Sequence, residues 1–109
     1  SRFGDWLEGD DGDNVLAGGG GDDTLLGGLG RDTLVGGTGA DRLEGGGGID
    51  RAGYGTATAG VVASLADPTV NTGDAAGDTY LDVEGLVGSA WGDDLRGDAA
   101  ANTLWGGQG

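Results

Sequence analysis

The chain contains no cysteine, no histidine and no lysine. Without cysteine there is no disulfide framework and no thiolate metal site. Without histidine the usual zinc ligand and the usual general base are both missing. A single proline, Pro68, rules out a collagen-like helix, which needs abundant proline and glycine at every third position. No apolar run is long enough to span a bilayer, and no signal peptide is legible. Positive charge is scarce: five arginines stand against 19 acidic residues, for a net charge of −14. Phosphate binding needs a basic surface, so nucleic acid is excluded as a partner. Anionic membrane surfaces are disfavoured for the same reason, and direct membrane insertion is not expected. So many carboxylates repel one another in a compact state. Multivalent cations are the obvious compensation.

What is abundant is glycine, 29 of 109 residues, far above the ordinary share of about 7 %. A flexible linker could be as rich in glycine. A linker has no reason to keep leucine in phase, yet Leu7, Leu16, Leu25, Leu34 and Leu43 are nine apart. Five consecutive nine-residue blocks begin at Gly9, Gly18, Gly27, Gly36 and Gly45. Their consensus is G-G-x-G-x-D-x-L-x, and a period this strict means a solenoid.

Each block has two halves. Positions one to six hold too many glycines for a helix or strand interior. Glycine at positive φ lets the chain turn tightly and send its carbonyls to alternate sides. Positions seven to nine suit a short strand with one side chain inward. Two blocks then make one coil, and adjacent turns on one side belong to alternate blocks. The expected fold is all-β, a parallel β-roll (a β-solenoid) with an inserted strand and loop segment.

The period breaks over residues 54–83. Val61, Val62, Ala63 and Leu65 there suit a strand, and Ala66 to Asp78 reads as loop. From Glu84 the spacing returns: Leu86, Leu95 and Leu104 hold the phase. The organisation read from the sequence is thus a roll block over 1–53, an insert over 54–83 and a degenerate second block over 84–109. The chain starts and stops in mid-repeat, so it is expected to be a fragment of a larger polypeptide.

Turn carbonyls and in-phase carboxylates together make a cage of hard oxygens. Calcium takes 6–8 such ligands in flexible geometry, whereas magnesium is smaller and retains its waters. Zinc and copper prefer ligands this chain lacks. A lone aspartate in a turn usually caps its own backbone. Asp5, Asn14, Asp23, Asp32, Asp41 and Asp50 in phase point instead to several calcium ions, roughly three to five. Asn14 keeps an oxygen but no charge. No EF-hand loop is present. The few inward aliphatics are set against the ordering entropy of a glycine-rich chain, so folding is expected to need the metal.

The first block closely resembles the RTX (repeats-in-toxin) family of calcium-binding nonapeptide repeats, and the tail from Val83 resembles segments that restart such repeats. The resemblance implies type I secretion of an unfolded chain, then folding outside the cell in calcium. It implies an extracellular or cell-surface location. It also implies a ligand set: carbonyls of positions two and four with the aspartate of one turn, and of positions one and three with the aspartate two blocks later. Carried over, Gly19, Gly21 and Asp23 share an ion with Gly36, Thr38 and Asp41. Gly28, Gly30 and Asp32 face Gly45, Gly47 and Asp50. Asp10, Gly12 and Asn14 face Gly27, Leu29 and Asp32. Around these stand the other turn residues Gly9, Asp11, Gly18, Gly20, Gly37 and Gly39. Asp93, Gly106 and Gln108 are the candidates in the second block.

The resemblance thus makes the chain a structural module of a larger secreted protein, not an enzyme. Paired carboxylates such as Asp22/Asp23 or Asp93/Asp94 could suggest catalysis, but neighbours in a tight turn rarely converge on a substrate. The alternative is a glycan- or partner-binding module. Trp6, Trp91 and Trp105 are its only obvious contact residues, and packing or edge cover is expected of them. The arginines are expected to relieve charge on outer positions.

Overall fold

A computed structural model describes residues 4–97 and the strand at 103–105. Eleven strands, each of three residues, are joined by glycine-rich turns, and no α-helix occurs among the described residues. The repeats supply β1 (Trp6–Glu8), β2 (Val15–Ala17), β3 (Thr24–Leu26), β4 (Thr33–Val35), β5 (Arg42–Glu44) and β6 (Arg51–Gly53). The insert supplies β7 (Val62–Ser64), two 3-10 turns at Pro68–Val70 and Gly73–Ala75, and β8 (Thr79–Leu81). The second block supplies β9 (Gly85–Val87), β10 (Asp94–Arg96) and β11 (Thr103–Trp105).

Every strand pair is parallel, and within each repeat block alternate strands are neighbours. One sheet runs β1-β3-β5-β8 and the other β11-β9-β6-β4-β2. The register is the repeat itself: Leu7 pairs with Leu25 and Leu25 with Leu43, while Leu16 pairs with Leu34. The fold is a parallel β-roll. Between the two sheets lies the leucine ladder. Leu25, Leu34, Leu43, Ala52 and Leu86 are fully buried, and Leu7 and Leu16 pack against them partly buried. Strands of three residues suffice because one inward side chain per strand is all that this narrow core holds.

The insert departs from the period in an orderly way. The sequence sets residues 54–83 apart as an inserted strand and loop segment, and within it β8 pairs with β5 in register, Leu43 opposite Tyr80. Asp78-Thr79-Tyr80-Leu81 fills the place of a repeat's second half, with tyrosine where leucine is usual. A connection of only Asp82, Val83 and Glu84 then leads into β9. Asp82 takes φ 54°, the only described non-glycine residue at positive φ. β7 lies apart from the two main sheets and pairs with β10. Tyr54 tethers the insert to the roll: its hydroxyl donates to Asp78 Oδ2 at 2.6 Å and lies 2.6 Å from the Tyr80 hydroxyl. Asn71 Nδ2 donates to that Tyr80 oxygen at 2.9 Å.

The tryptophans do not pack as the sequence suggested. Trp6 and Trp91 are 64 % and 52 % exposed. Trp6 stands on the outer face of its sheet, and its indole N–H donates to Glu8. The side chain of Trp105 lies outside the described ones. Arg42 pairs with Glu44 and Arg96 with Asp94, each at 2.8 Å, on the outer surface.

Candidate metal centre

The inward aspartates are as buried as the leucines. Asp23, Asp32, Asp41 and Asp50 are no more than 2 % exposed. Burial of an unpaired carboxylate is costly, so each must be compensated. Half of the compensation is visible. Oδ1 of each accepts the backbone N–H of the in-phase residue one coil earlier or its structural equivalent. Asp5 donates to Asp23, Asn14 to Asp32, Asp23 to Asp41 and Asp32 to Asp50, at 2.7 to 2.9 Å. The ladder continues into residues that the consensus did not flag. Asp41 donates to Asp78 Oδ1 at 2.7 Å, and Asp50 donates to Glu84 Oε1 at 2.8 Å.

The other half is missing. Oδ2 of Asp23, Asp32, Asp41 and Asp50 has no hydrogen-bond partner. Four buried, unpartnered carboxylate oxygens in one repeat array call for a positive group. Burial, reinforced by the charges of Asp78 and Asp23, pushes the Asp41 carboxyl up to about 8. Burial likewise pushes Asp50 up to about 7, with Asp32 and Glu84 adding to the effect.

The carbonyls converge on the same gaps. A Cβ added at Gly27 would lie 2.6 Å from its own Asp32 Oδ2 and 2.6 Å from the Gly45 carbonyl oxygen. The position-one carbonyl therefore points back toward the previous turn. The carbonyls of positions two and four point forward: those of Gly19 and Gly21 run against Gly37 and Gly39, and those of Gly28 and Gly30 against Gly46 and Gly48. Glycines at positions two and four achieve this with φ between 82° and 98°. Among the described residues no three acidic side chains gather at one point. The groups facing these gaps are backbone carbonyls and the unpartnered carboxylate oxygens. Such an all-oxygen donor set fits calcium and gives nothing to a softer metal.

A sequence model of the RTX calcium-binding nonapeptide repeat, in four copies, matches residues 1–34, 18–52 and 87–109. The chain belongs to that family. No curated protein matches it. The RTX repeats make it a calcium-binding module, and the orphaned carboxylates mark where its chain is short of positive charge.

The candidate residues are not all placed alike. In the turns 18–23, 27–32, 36–41 and 45–50 the candidates at positions two, four and six stand at the gaps just described, and Leu29 and Thr38 at position three are exposed. Asp5 enters through its N–H. Asp10, Gly12 and Asn14 form an exposed turn bonded within itself, Asp10 N–H to Asn14 Oδ1 at 2.8 Å, and Asp11 is exposed beside them. Asp93 Oδ1 accepts from Val61 N–H at 2.9 Å and from the Ser89 hydroxyl at 2.7 Å. Gly106 and Gln108 lie outside the described residues. Sequence reasoning missed a second, exposed ladder at position five: Asp13 Oδ1 accepts from Arg31 N–H, and Asp22 Oδ1 from Ala40 N–H. It also missed Asp78, although Asp78 precedes Tyr80 as Asp41 precedes Leu43.

Proposed function

We propose that this roll is a calcium-triggered folding module of a secreted bacterial protein, exported unfolded through a type I route and folded outside the cell. The observation that carries this reading is the set of four buried carboxylate oxygens without partners. A chain that buries such charges folds readily only where a cation neutralises them. Low cytosolic calcium then keeps it open for export, and high external calcium closes it. One ion is held among Gly19, Gly21, Asp23, Gly36, Thr38 and Asp41. A second is held among Gly28, Gly30, Asp32, Gly45, Gly47 and Asp50. The module supports the larger protein to which it is attached and performs no chemistry itself.

Far-UV circular dichroism in excess EDTA, followed by calcium titration with magnesium as control, tests this. A steep coil-to-β transition with calcium alone is expected. A full β spectrum in EDTA would sink the trigger.

A second reading draws on the exposed Trp6 and Trp91. They could offer stacking faces to a glycan. Glycan binding lost on Trp91→Ala but kept in Asp32→Ala would support it.

A further inference from the structure

Six turns of the described roll have an aspartate or asparagine at position six, and they fall into two backbone classes. Turns 18–23, 27–32, 36–41 and 45–50 have glycine at positions two and four, all at positive φ. In each, the position-six carboxylate keeps an unpartnered Oδ2. Turns 9–14 and 88–93 differ. Position two is Asp10 in one and Ser89 in the other, and neither takes positive φ. Position four is Gly12 in one and Trp91 in the other, and neither takes it either, although Gly12 could. In turn 9–14, where position four is still glycine, the whole turn has changed shape with the residue at position two.

The consequence is chemical. In both turns the position-two N–H points inward at the position-six side chain of its own turn. Asp10 N–H donates to Asn14 Oδ1 at 2.8 Å, and Ser89 N–H donates to Asp93 Oδ2 at 2.8 Å. Side chains complete the closure: Ser89 Oγ donates to Asp93 Oδ1 at 2.7 Å, and Asn14 Nδ2 donates to Asp10 Oδ1 at 3.1 Å. A donor N–H puts partial positive charge where a cation would sit. An L residue resists the left-handed conformation that would rotate this N–H away, at a cost of about 1–2 kcal/mol.

We infer that the residue at position two decides which turns hold calcium. Asp10 and Ser89 close the turns 9–14 and 88–93, and the ions are confined to the gaps of Asp23, Asp32, Asp41 and Asp50. This rests on the calcium reading above and revises the ligand role expected of Asn14 and Asp93. The gap above turn 9–14 is otherwise ready. The carbonyls of Asp10 and Gly12 already face Gly28 and Gly30, and that of Gly27 faces Gly9. Glycine at position two and a carboxylate at position six are what it lacks.

Native mass spectrometry in calcium counts the ions on the wild type and on D32N, D93N, N14D and the double variant D10G/N14D. The expected result is fewer ions on D32N, an unchanged count on D93N and N14D, and one more on D10G/N14D. Loss of an ion in D93N, a gain in N14D alone, or no gain in a folded D10G/N14D would each overturn the inference. A wild type that binds no calcium would instead overturn the reading on which it rests.

Discussion

The backbone N–H of Asp32 donates to Oδ1 of Asp50, eighteen residues on, at 2.9 Å. Asp50 Oδ2, the other oxygen of the same carboxylate, has no partner. One carboxylate therefore does two jobs. One oxygen fixes the register between coils, and the other is left for a cation.

That division makes Asp32 a sensitive position. Its Oδ1 holds Asn14, its N–H is held by Asp50, and it is fully buried. Asp32→Ala removes a proposed ligand and leaves the Asn14 N–H without its acceptor, a loss of about 1–3 kcal/mol before any ion is counted. A calcium titration followed by circular dichroism should show its midpoint raised by about tenfold or more. Asp13→Ala, at an exposed turn position, should leave the midpoint near that of the wild type. Equal midpoints for the two variants would refute the special place of Asp32.

Backbone ligands make a different prediction. Gly37 has φ 86°, and a Cβ there would run into the Gly19 carbonyl. Gly37→Ala should cost at least the ~1–2 kcal/mol of a left-handed L residue, and it disturbs a carbonyl aimed at the gap. Thr38 is exposed and would contribute only its carbonyl, so Thr38→Ala should bind calcium unchanged. Isothermal titration of both variants separates backbone from side-chain ligation. A Thr38→Ala defect as large as that of Gly37→Ala would place the side chain in the site.

The leucine and aspartate phases were legible because nine residues set both the strand pairing and the turn stacking. Leu25, Leu34 and Leu43 in the core, and Asp23, Asp32, Asp41 and Asp50 beside them, follow from that period. The insert was less legible, since its contacts obey no period. Tyr54 reaches Asp78 across 24 residues, and Asn71 bridges Ser64 to Tyr80. β8 was hidden because tyrosine replaces leucine and a three-residue connection follows it. The difference between open and closed turns was hidden too. Asp10 and Ser89 look like tolerable substitutions until the direction of their N–H groups is known.

Tyr54 supplies the test of the tether. Asp78 Oδ2 has the Tyr54 hydroxyl where the in-phase aspartates have no partner. Burial pushes the Tyr54 hydroxyl far up, so it remains a donor. Tyr54→Phe removes that donor from a buried acid and should cost about 1–3 kcal/mol. In saturating calcium the melting temperature should fall by at least ~4 °C, given the size of the domain. The number of ions bound should stay the same. An unchanged melting temperature would show that the hydroxyl contributes nothing to the joint.

Acidity should act in opposite directions on the two states. In the calcium-free fold, burial raises the Asp41 carboxyl from 3.8 to about 8 and the Asp50 carboxyl to about 7. The folded form thus holds protons that the unfolded chain releases. Its stability is greatest below the unfolded value and is lost as pH rises through that window to about 8. Calcium binding to that calcium-free fold must displace those same protons, so its affinity for the folded form should rise with pH by roughly tenfold per unit for each proton displaced. Thermal melts in calcium-free buffer should therefore show more residual structure near about pH 5 than near about pH 8.5. Equal melts at the two pH values would show that the buried aspartates hold no protons in the calcium-free fold.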